Sequence, residues 1–139
     1  AVIARFSTVY GPTKNIPETA FYEFIKKSIN GEIITVNSNA APRRDNIYVV
    51  DAIEGLVKLA LFGKTGESYN ISSNGEMGNY AAVDEIAQVS AKVAGKNSEV
   101  QYKTKILSNK AGLKLDNRKL KQFGWQIKFS MEEGILKSR

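Results

Sequence analysis

Hydrophobic and polar positions alternate in blocks along the chain, and these blocks predict strands and helices in turn. Residues 1–10 form an apolar run that ends at a Gly-Pro pair, which predicts a strand followed by a turn. In residues 15–32, apolar side chains recur every three or four positions, which predicts a helix. Pro17 suits its first turn and Gly31 suits its end. Residues 33–36 predict a short strand.

The middle of the chain predicts a strand that leads directly into a long helix. Residues 46–50 are apolar and rich in β-branched side chains, which predicts the strand. Asp51 is suited to be the helix N-cap, and Glu54 lies three residues later, which is the spacing of a capping box. The predicted buried face of this helix consists of Ile53, Leu56, Val57, Ala60 and Leu61.

The remaining pattern continues the alternation. It predicts a strand at 67–72, a loop at 73–79, a helix at 80–94, a strand at 99–104 and a short helix at 116–125. In the helix at 80–94, the inward side chains should be Val83, Ile86, Ala87 and Val93. Asp116 should cap the short helix, and Ser130 with Glu133 predicts one more helix that begins with a capping box. The alternation indicates an α/β fold with at least some parallel strand pairing.

Composition narrows the classes of function. The 139 residues fit one domain, and a 42% hydrophobic fraction is ordinary for a globular chain. Because the sequence has no cysteine and no histidine, disulfides, thiolate or histidine metal sites and histidine-based catalytic triads are excluded. The absence of cysteine fits a cytoplasmic location. The chain begins inside an apolar run, so we expect it to be a piece of a larger protein. No apolar run in the sequence is long enough to span a membrane.

The net charge of +6 is concentrated late in the chain. Between residues 103 and 121 the cations are Lys103, Lys105, Lys110, Lys114, Arg118, Lys119 and Lys121. Such a tract is compatible with nucleic acid or anionic lipid, but it is more often an ordinary solvated surface. The charge alone does not choose between these interpretations.

Two adjacent arginines, Arg43 and Arg44, precede the strand at 46–50. Guanidinium groups suit a phosphate or diphosphate, although paired arginines are also common as solvated surface charges. Catalytic patterns are weak by comparison. The glycines of residues 73–79 lack the G-x-G-x-x-G spacing, and the adjacent Glu132 and Glu133 point in different directions on a helix.

Five segments occur in the order and spacing of one family: RFSTVYGP, IITV, RRDNIYVVDAIEGL, YNISS and LDNRKLKQFGW. Together they resemble the C-terminal half of the extended short-chain dehydrogenase/reductase family, the NAD-dependent epimerases and dehydratases of nucleotide sugars. The resemblance implies an α/β fold with short strands and about five helices. It also implies that residues 1–139 are one substrate-binding fragment, that residues 1–12 belong to a Rossmann part, and that the N-terminal cofactor domain is absent.

The resemblance also implies roles for individual residues. Arg44 would bind the substrate diphosphate. The nucleotide base would lie against Ile34, Thr35 and Val36. Thr8 would contact the substrate, and Ser7 and Tyr10 would lie at the NAD cofactor. No metal is implied, and the NAD loop and the catalytic Tyr-x-x-x-Lys pair are expected to lie outside this chain.

Some positions depart from the family pattern. Thr8 replaces a frequent asparagine, Ser38 and Ala40 replace two loop glycines, and Arg118 replaces a serine. A second phosphate-binding arginine of the family is missing, and its possible substitutes are Lys103, Lys105 and Lys110.

The expected activity is epimerisation or 4,6-dehydration of a nucleotide sugar, an isomerase or lyase reaction, by a cytoplasmic homodimer that binds neither nucleic acid nor membrane. Two alternatives stay open: an NAD(P)-linked reductase of the same family, and a basic module that binds nucleic acid or an acidic partner.

Overall fold

The computed structural model describes residues 1–15, 17–96, 98–106 and 109–139. Within them the strands are β1 (Ile3–Phe6), β2 (Thr8–Tyr10), β3 (Ile34–Ser38), β4 (Arg44–Tyr48), β5 (Ser68–Ile71), β6 (Tyr80–Ala81) and β7 (Val100–Thr104). The helices are α1 (Ala20–Asn30), α2 (Val49–Phe62), α3 (Val83–Val93), α4 (Arg118–Lys121) and α5 (Met131–Lys137). None of these helices combines the length and the apolar character that crossing a membrane requires.

Three small sheets hold the strands. β1 pairs with β5, β2 with β4, and β3 with β7, all in parallel, and β6 pairs antiparallel with β4. The predicted α/β fold with parallel pairing and about five helices is therefore confirmed. The predicted strand at 1–10 is interrupted at Ser7, where the chain passes from the first sheet to the second.

Two apolar clusters form the core. The first joins α1, α3 and α5 around β3 and contains Phe24, Ile34, Val36, Ile86 and Ile135. The second packs α2 and α4 against β5, and contains Leu59, Ile71, Leu120 and Trp125. β4 runs between them, because Tyr48 belongs to the first cluster and Ile47 to the second. Its N-terminal end, at Arg44, is the part of the fold that positions the candidate site.

The predicted buried face of α2 is wrong. Ile53, Leu56, Val57 and Leu61 are between 46% and 68% exposed, and Ala60 is exposed as well. The helix instead buries Ala52, Gly55 and Leu59 against the sheet. A side chain at position 55 would meet Ile71, Leu120 and Trp125 within 3.0–3.3 Å, so glycine permits this close approach. Small residues therefore select the contact face, and the larger apolar side chains stay outside.

Asp51 does not cap α2, which begins two residues earlier, at Val49. The carboxylate is fully buried and accepts hydrogen bonds from the backbone N–H groups of Lys128 (3.2 Å) and Phe129 (3.1 Å). Burial raises its pKa. Glu54 forms no capping box and pairs with the Lys128 ammonium at 2.7 Å. Asp51 therefore ties the segment before α5 to the start of α2.

Other boundaries shift by a few residues. α1 begins at Ala20, later than predicted, and ends as predicted at Gly31, whose φ is 72°. The predicted start of the helix at 80–94 is replaced by β6, and Val83 is 38% exposed although it was predicted to face inward. α4 is shorter than predicted, and Asp116 accepts the Arg118 N–H at 2.9 Å. The capping box of Ser130 and Glu133 is confirmed at the start of α5.

Candidate functional site

Arg43 and Arg44 have different environments although they are adjacent. The Arg43 guanidinium donates hydrogen bonds to the Glu85 carboxylate of α3, with Nε 2.9 Å from Oε2 and Nη2 2.5 Å from Oε1. Glu85 also accepts the Ala82 N–H at 2.9 Å. Arg44 is exposed, and no carboxylate of the described residues forms a salt bridge with it. Of these two arginines, Arg44 is thus the one that has no carboxylate partner among the described residues and can bind an anion.

Arg44 lies between two cavities of about 550 Å³ each, and lines both. The first, called the strap cavity here, is lined by Phe6, Ser7, Thr8, Pro42, Arg43, Arg44, Asp45, Gly112, Leu113 and Leu115. The second, called the aromatic cavity, borders α1 and includes Tyr10, Phe21, Tyr22 and Phe24. Thr8 and Pro42 also line both. A ligand with an anionic centre between two larger groups would fit this arrangement.

One wall of the strap cavity is the strap, defined as residues 109–116, which crosses the start of β4. The Arg43 N–H donates to the Lys110 carbonyl at 2.8 Å. The Tyr80 hydroxyl donates to the Gly112 carbonyl at 2.8 Å and accepts its N–H at 2.6 Å. A Cβ on Gly112 would lie 1.8 Å from the Arg43 carbonyl oxygen, so only glycine permits this crossing. The sequence patterns did not point to Tyr80 or Gly112, because the residues that contact each other here are far apart along the chain.

The structure places the three residues of the first motif differently. Ser7 borders the strap cavity, and its hydroxyl oxygen is buried without a hydrogen-bond partner among the described residues. Thr8 is exposed at the junction of the two cavities. Tyr10 is only 4% exposed, and its hydroxyl donates to Asn79 Oδ1 at 3.0 Å. Burial raises the Tyr10 pKa. Ser7 and Thr8 therefore have polar groups available for a ligand, and the Tyr10 hydroxyl is already used.

The residues predicted to meet the nucleotide base lie elsewhere. The side chains of Ile34 and Val36 are 0% and 3% exposed and belong to the core. Thr35 faces outward and borders a third cavity, together with Lys27 and Lys103. None of the three strand residues lines the strap cavity or the aromatic cavity. This placement gives no support to a base contact through their side chains.

The lysines considered as substitutes for the missing arginine line neither of the two cavities at Arg44. Lys110 pairs with Asp84, a carboxylate of which only 2% of the side chain is exposed. Lys105 lies over the Tyr102 ring at 5.1 Å, and Lys103 borders the third cavity. None of the three lines the strap cavity. Within the described residues the cavity therefore takes its cationic charge from Arg44 and the already paired Arg43.

Two tyrosines of this chain have a lysine four residues on, which is the spacing of the catalytic pair that is expected to lie outside it. Tyr10 and Lys14 do not share a helix, whereas Tyr22 and Lys26 lie one turn apart on α1. The Tyr22 hydroxyl donates to the Gly11 carbonyl at 2.7 Å. This bond uses the proton of Tyr22 to hold α1 against the turn after β2, which is a structural role. In the described part of the chain, no group of three carboxylates forms a candidate metal site.

The pair of Arg43 and Glu85 should make stability depend on pH. The hydrogen bond from Arg43 lowers the Glu85 pKa below its ordinary value of 4.5. Because the folded-state pKa is the lower one, the stabilisation is present above the unfolded-state pKa and is lost as the pH falls through the folded-state pKa. Between neutral pH and about pH 3, the wild-type chain should lose about 1 kcal/mol more unfolding free energy than Glu85→Gln.

Urea unfolding at both pH values measures this difference. Glu132→Gln is the control, since its pair with Lys92 is exposed at 50% and 69% and should contribute little. If the wild type and Glu85→Gln lose the same unfolding free energy, the pair of Arg43 and Glu85 does not make stability depend on pH.

Comparison with known proteins found a matching family and several similar proteins. The sequence profile of the NAD dependent epimerase/dehydratase family matches residues 1–72. The chain is 30% identical over 141 residues to dTDP-D-glucose 4,6-dehydratase of Mus musculus, covering 99% of this chain and 39% of that protein. UDP-glucose 4-epimerase of Thermotoga maritima, solved with UDP-glucose, superposes with a TM-score of 0.77 at 25% identity, covering 99% of this chain and 44% of that one.

A structure of the Bordetella bronchiseptica enzyme WbmF in complex with NADH superposes with a TM-score of 0.79 at 25% identity, again over 99% of this chain and 44% of that one. WbmF has also been solved in complex with NAD+, so NAD is bound by a structural relative of this chain. The chain spans about two fifths of the length of the relatives that it matches. Since the profile matches more than half of its residues, the chain belongs to the NAD dependent epimerase/dehydratase family.

Proposed function

We propose that this chain is the substrate-binding part of an NAD-dependent nucleotide-sugar epimerase or dehydratase, and that Arg44 binds the diphosphate of the substrate. The observation that carries the proposal is that Arg44 lines both cavities and forms no salt bridge with a carboxylate of the described residues. In a nucleotide sugar, the diphosphate links two larger groups in the same way. A guanidinium can donate two parallel hydrogen bonds to phosphate oxygens, which fixes the position of the ligand as well as attracting it.

The two cavities suit different ends of such a ligand. The aromatic cavity offers Tyr10, Phe21 and Phe24 as apolar surface for a nucleoside. The strap cavity holds Ser7 and Thr8 and is suited to the sugar. Ser7 is the residue of this chain that fits NAD, because its buried hydroxyl has no partner among the described residues. NAD, when bound, would accept a hydride from the sugar. The role of this chain is to orient the sugar by holding the diphosphate, so that binding energy is used for positioning.

Exposed apolar surface supports the proposal that further protein completes this unit. β1 and β5 form a parallel pair of two strands, and parallel strands are normally covered on both faces. Ile3 and Phe6 of β1 are 50% and 45% exposed, and large apolar side chains of α2 are exposed as well. We propose that residues 1–12 join a Rossmann part, which supplies the NAD loop and the catalytic tyrosine and lysine. A cytoplasmic homodimer remains our expectation for the complete enzyme.

The chain alone should show no NAD-dependent turnover of UDP-glucose or dTDP-glucose. The reason is that the described residues provide no free tyrosine base beside Arg44. The measurement is product analysis by chromatography after incubation with NAD, and the complete protein is the positive control. Turnover by the chain that Tyr22→Phe abolishes would contradict this expectation and make Tyr22 and Lys26 the catalytic pair. An NAD(P)-linked reductase would instead be identified by a reduced sugar product from the complete protein.

The basic module is the weaker alternative, because carboxylates already pair with much of the basic tract. Lys110 binds Asp84, Arg118 binds Asp116 at 2.5 Å, Lys119 binds Glu67 and Lys121 binds Glu76. Neutralised cations release few counterions when they meet nucleic acid. Oligonucleotide binding that weakens steeply with salt and is lost on neutralising Lys114 and Lys121 would favour this alternative. Loss of nucleotide binding only in Arg44→Ala would favour the enzyme.

A further inference from the structure

Asp45 joins three segments of the chain beside Arg44. Its carboxylate is 5% exposed, and it forms no salt bridge with the described cations. Oδ1 accepts the Ser73 N–H at 3.1 Å and the Ser73 hydroxyl at 2.5 Å. Oδ2 accepts the Leu115 N–H of the strap at 3.0 Å. One side chain therefore fixes both the loop after β5 and the strap to β4.

The position of the strap decides the shape of the cavity at Arg44. Gly112, Leu113 and Leu115 line that cavity, and Arg44 is the neighbour of Asp45 in β4. Leu113 is 86% exposed, so the strap tip is not held by packing of its own side chain. Its location depends instead on the polar anchors on either side: Tyr80 at Gly112, and Asp45 with Ser72 at Leu115. Neighbouring strand residues point to opposite faces, so Arg44 can face the ligand while Asp45 is buried.

We propose that Asp45 is a positioning residue of the candidate site, which sets the distance between the strap and Arg44 and so the fit of the bound diphosphate. The ligand part of this inference rests on the proposed function, and the placement of the strap does not. Asp45 is not expected to touch the ligand, because its two carboxylate oxygens already accept hydrogen bonds from Ser73 and Leu115.

The test is Asp45→Asn in this chain, followed by NMR with UDP as the probe. An amide accepts hydrogen bonds at only one of its two outer atoms, so an N–H must then face the N–H of Leu115 or of Ser73. We expect the amide resonances of Gly112 and Leu113 to shift, and the affinity for UDP to fall about tenfold. The sign of the change is diagnostic, because removing a negative charge beside an anion site would by itself strengthen UDP binding.

Asp51→Asn is the matched control. Asp51 is equally buried and accepts two backbone N–H groups from a distant segment, but it lines neither cavity. If Asp45 only stabilises the fold, the two variants should leave UDP affinity equally unchanged once the unfolded fraction is accounted for. That result would overturn the proposal, as would tighter UDP binding in Asp45→Asn.

The failure of the proposed function can be distinguished from the failure of this inference. A wild-type chain that shows no shifts with UDP contradicts the ligand part, while the strap resonances of unliganded Asp45→Asn still decide the positioning. If the strap resonances of Asp45→Asn are the same as those of the wild type, the proposed positioning role of Asp45 is overturned. If Asp45→Asn does not fold, hydrogen exchange of the wild-type chain decides: the Leu115 amide should exchange as slowly as the Ser73 amide, and fast exchange at Leu115 would contradict the anchor.

Discussion

Replacing Arg44 by alanine should weaken the binding of UDP or dTDP by about thirtyfold, which corresponds to about 2 kcal/mol. Arg44 lines both the strap cavity and the aromatic cavity and forms no salt bridge with the described carboxylates. Its loss should therefore remove the proposed charged hydrogen bonds to phosphate and break no ion pair of the described residues. The unfolding free energy should change by less than about 0.5 kcal/mol, as for other surface positions. NMR titration and urea unfolding of the variant measure the two quantities.

Arg43→Ala is the matched control, because it removes the same group one residue earlier. Arg43 is bound to Glu85, so this variant should lose stability and keep most of its nucleotide affinity. Arg44→Lys should lie in between, since lysine retains the charge but lacks the planar fork that matches phosphate. Equal loss of affinity in Arg43→Ala and Arg44→Ala would indicate a general charge effect and contradict the assignment of Arg44.

Replacing Trp125 by alanine should cost about 3–5 kcal/mol of unfolding free energy, the largest effect on stability expected in this chain. Trp125 is 3% exposed in the cluster that joins α2, α4 and β5. Its Nε1 donates to the buried Asp51 carbonyl at 3.0 Å. Removing the indole leaves a cavity and also removes the hydrogen bond from its N–H to the Asp51 carbonyl, and these two costs add. Circular dichroism during urea unfolding measures the change, because the variant lacks the single tryptophan.

Trp125→Phe separates the two costs. Phenylalanine retains most of the buried ring and removes the N–H, so we expect a loss of about 1–2 kcal/mol. If both variants are equally destabilised, the hydrogen bond to Asp51 would account for the whole effect and the packing of α2 against α4 would contribute little. A loss below about 1 kcal/mol in Trp125→Ala would contradict the role of this cluster as a core.

Local patterns in the sequence predicted most of the elements. The alternation of strands and helices, the end of α1 at Gly31 and the capping box of α5 all depend on residues within a few positions of one another. β7 at Val100–Thr104 lies within the alternating segment predicted as a strand. The family resemblance also singled out Arg44. Such features are predictable because backbone conformation and capping are decided by neighbouring residues.

The arrangement of the candidate site could not be predicted in this way. The sequence offered two adjacent arginines, and only the contact with Glu85, 42 residues away, distinguishes the bound Arg43 from the free Arg44. Asp45 meets the Leu115 N–H across 70 residues, and Asp51 meets the Lys128 N–H across 77. The spacing of Tyr22 and Lys26 was visible in the sequence, but the bond from Tyr22 to Gly11 that gives it a structural role was not.

The sequence by itself determined most of the strands and helices, an α/β class with some parallel pairing and the position of the arginine motif. The tertiary structure alone decided which side of α2 is buried, which arginine is free and where the strap lies. The face of α2 shows the physical reason. Its large apolar side chains suggested that one face is buried, but Gly55 permits the opposite face to approach the core closely. The packing energy of that approach exists only once Ile71, Leu120 and Trp125 are in place.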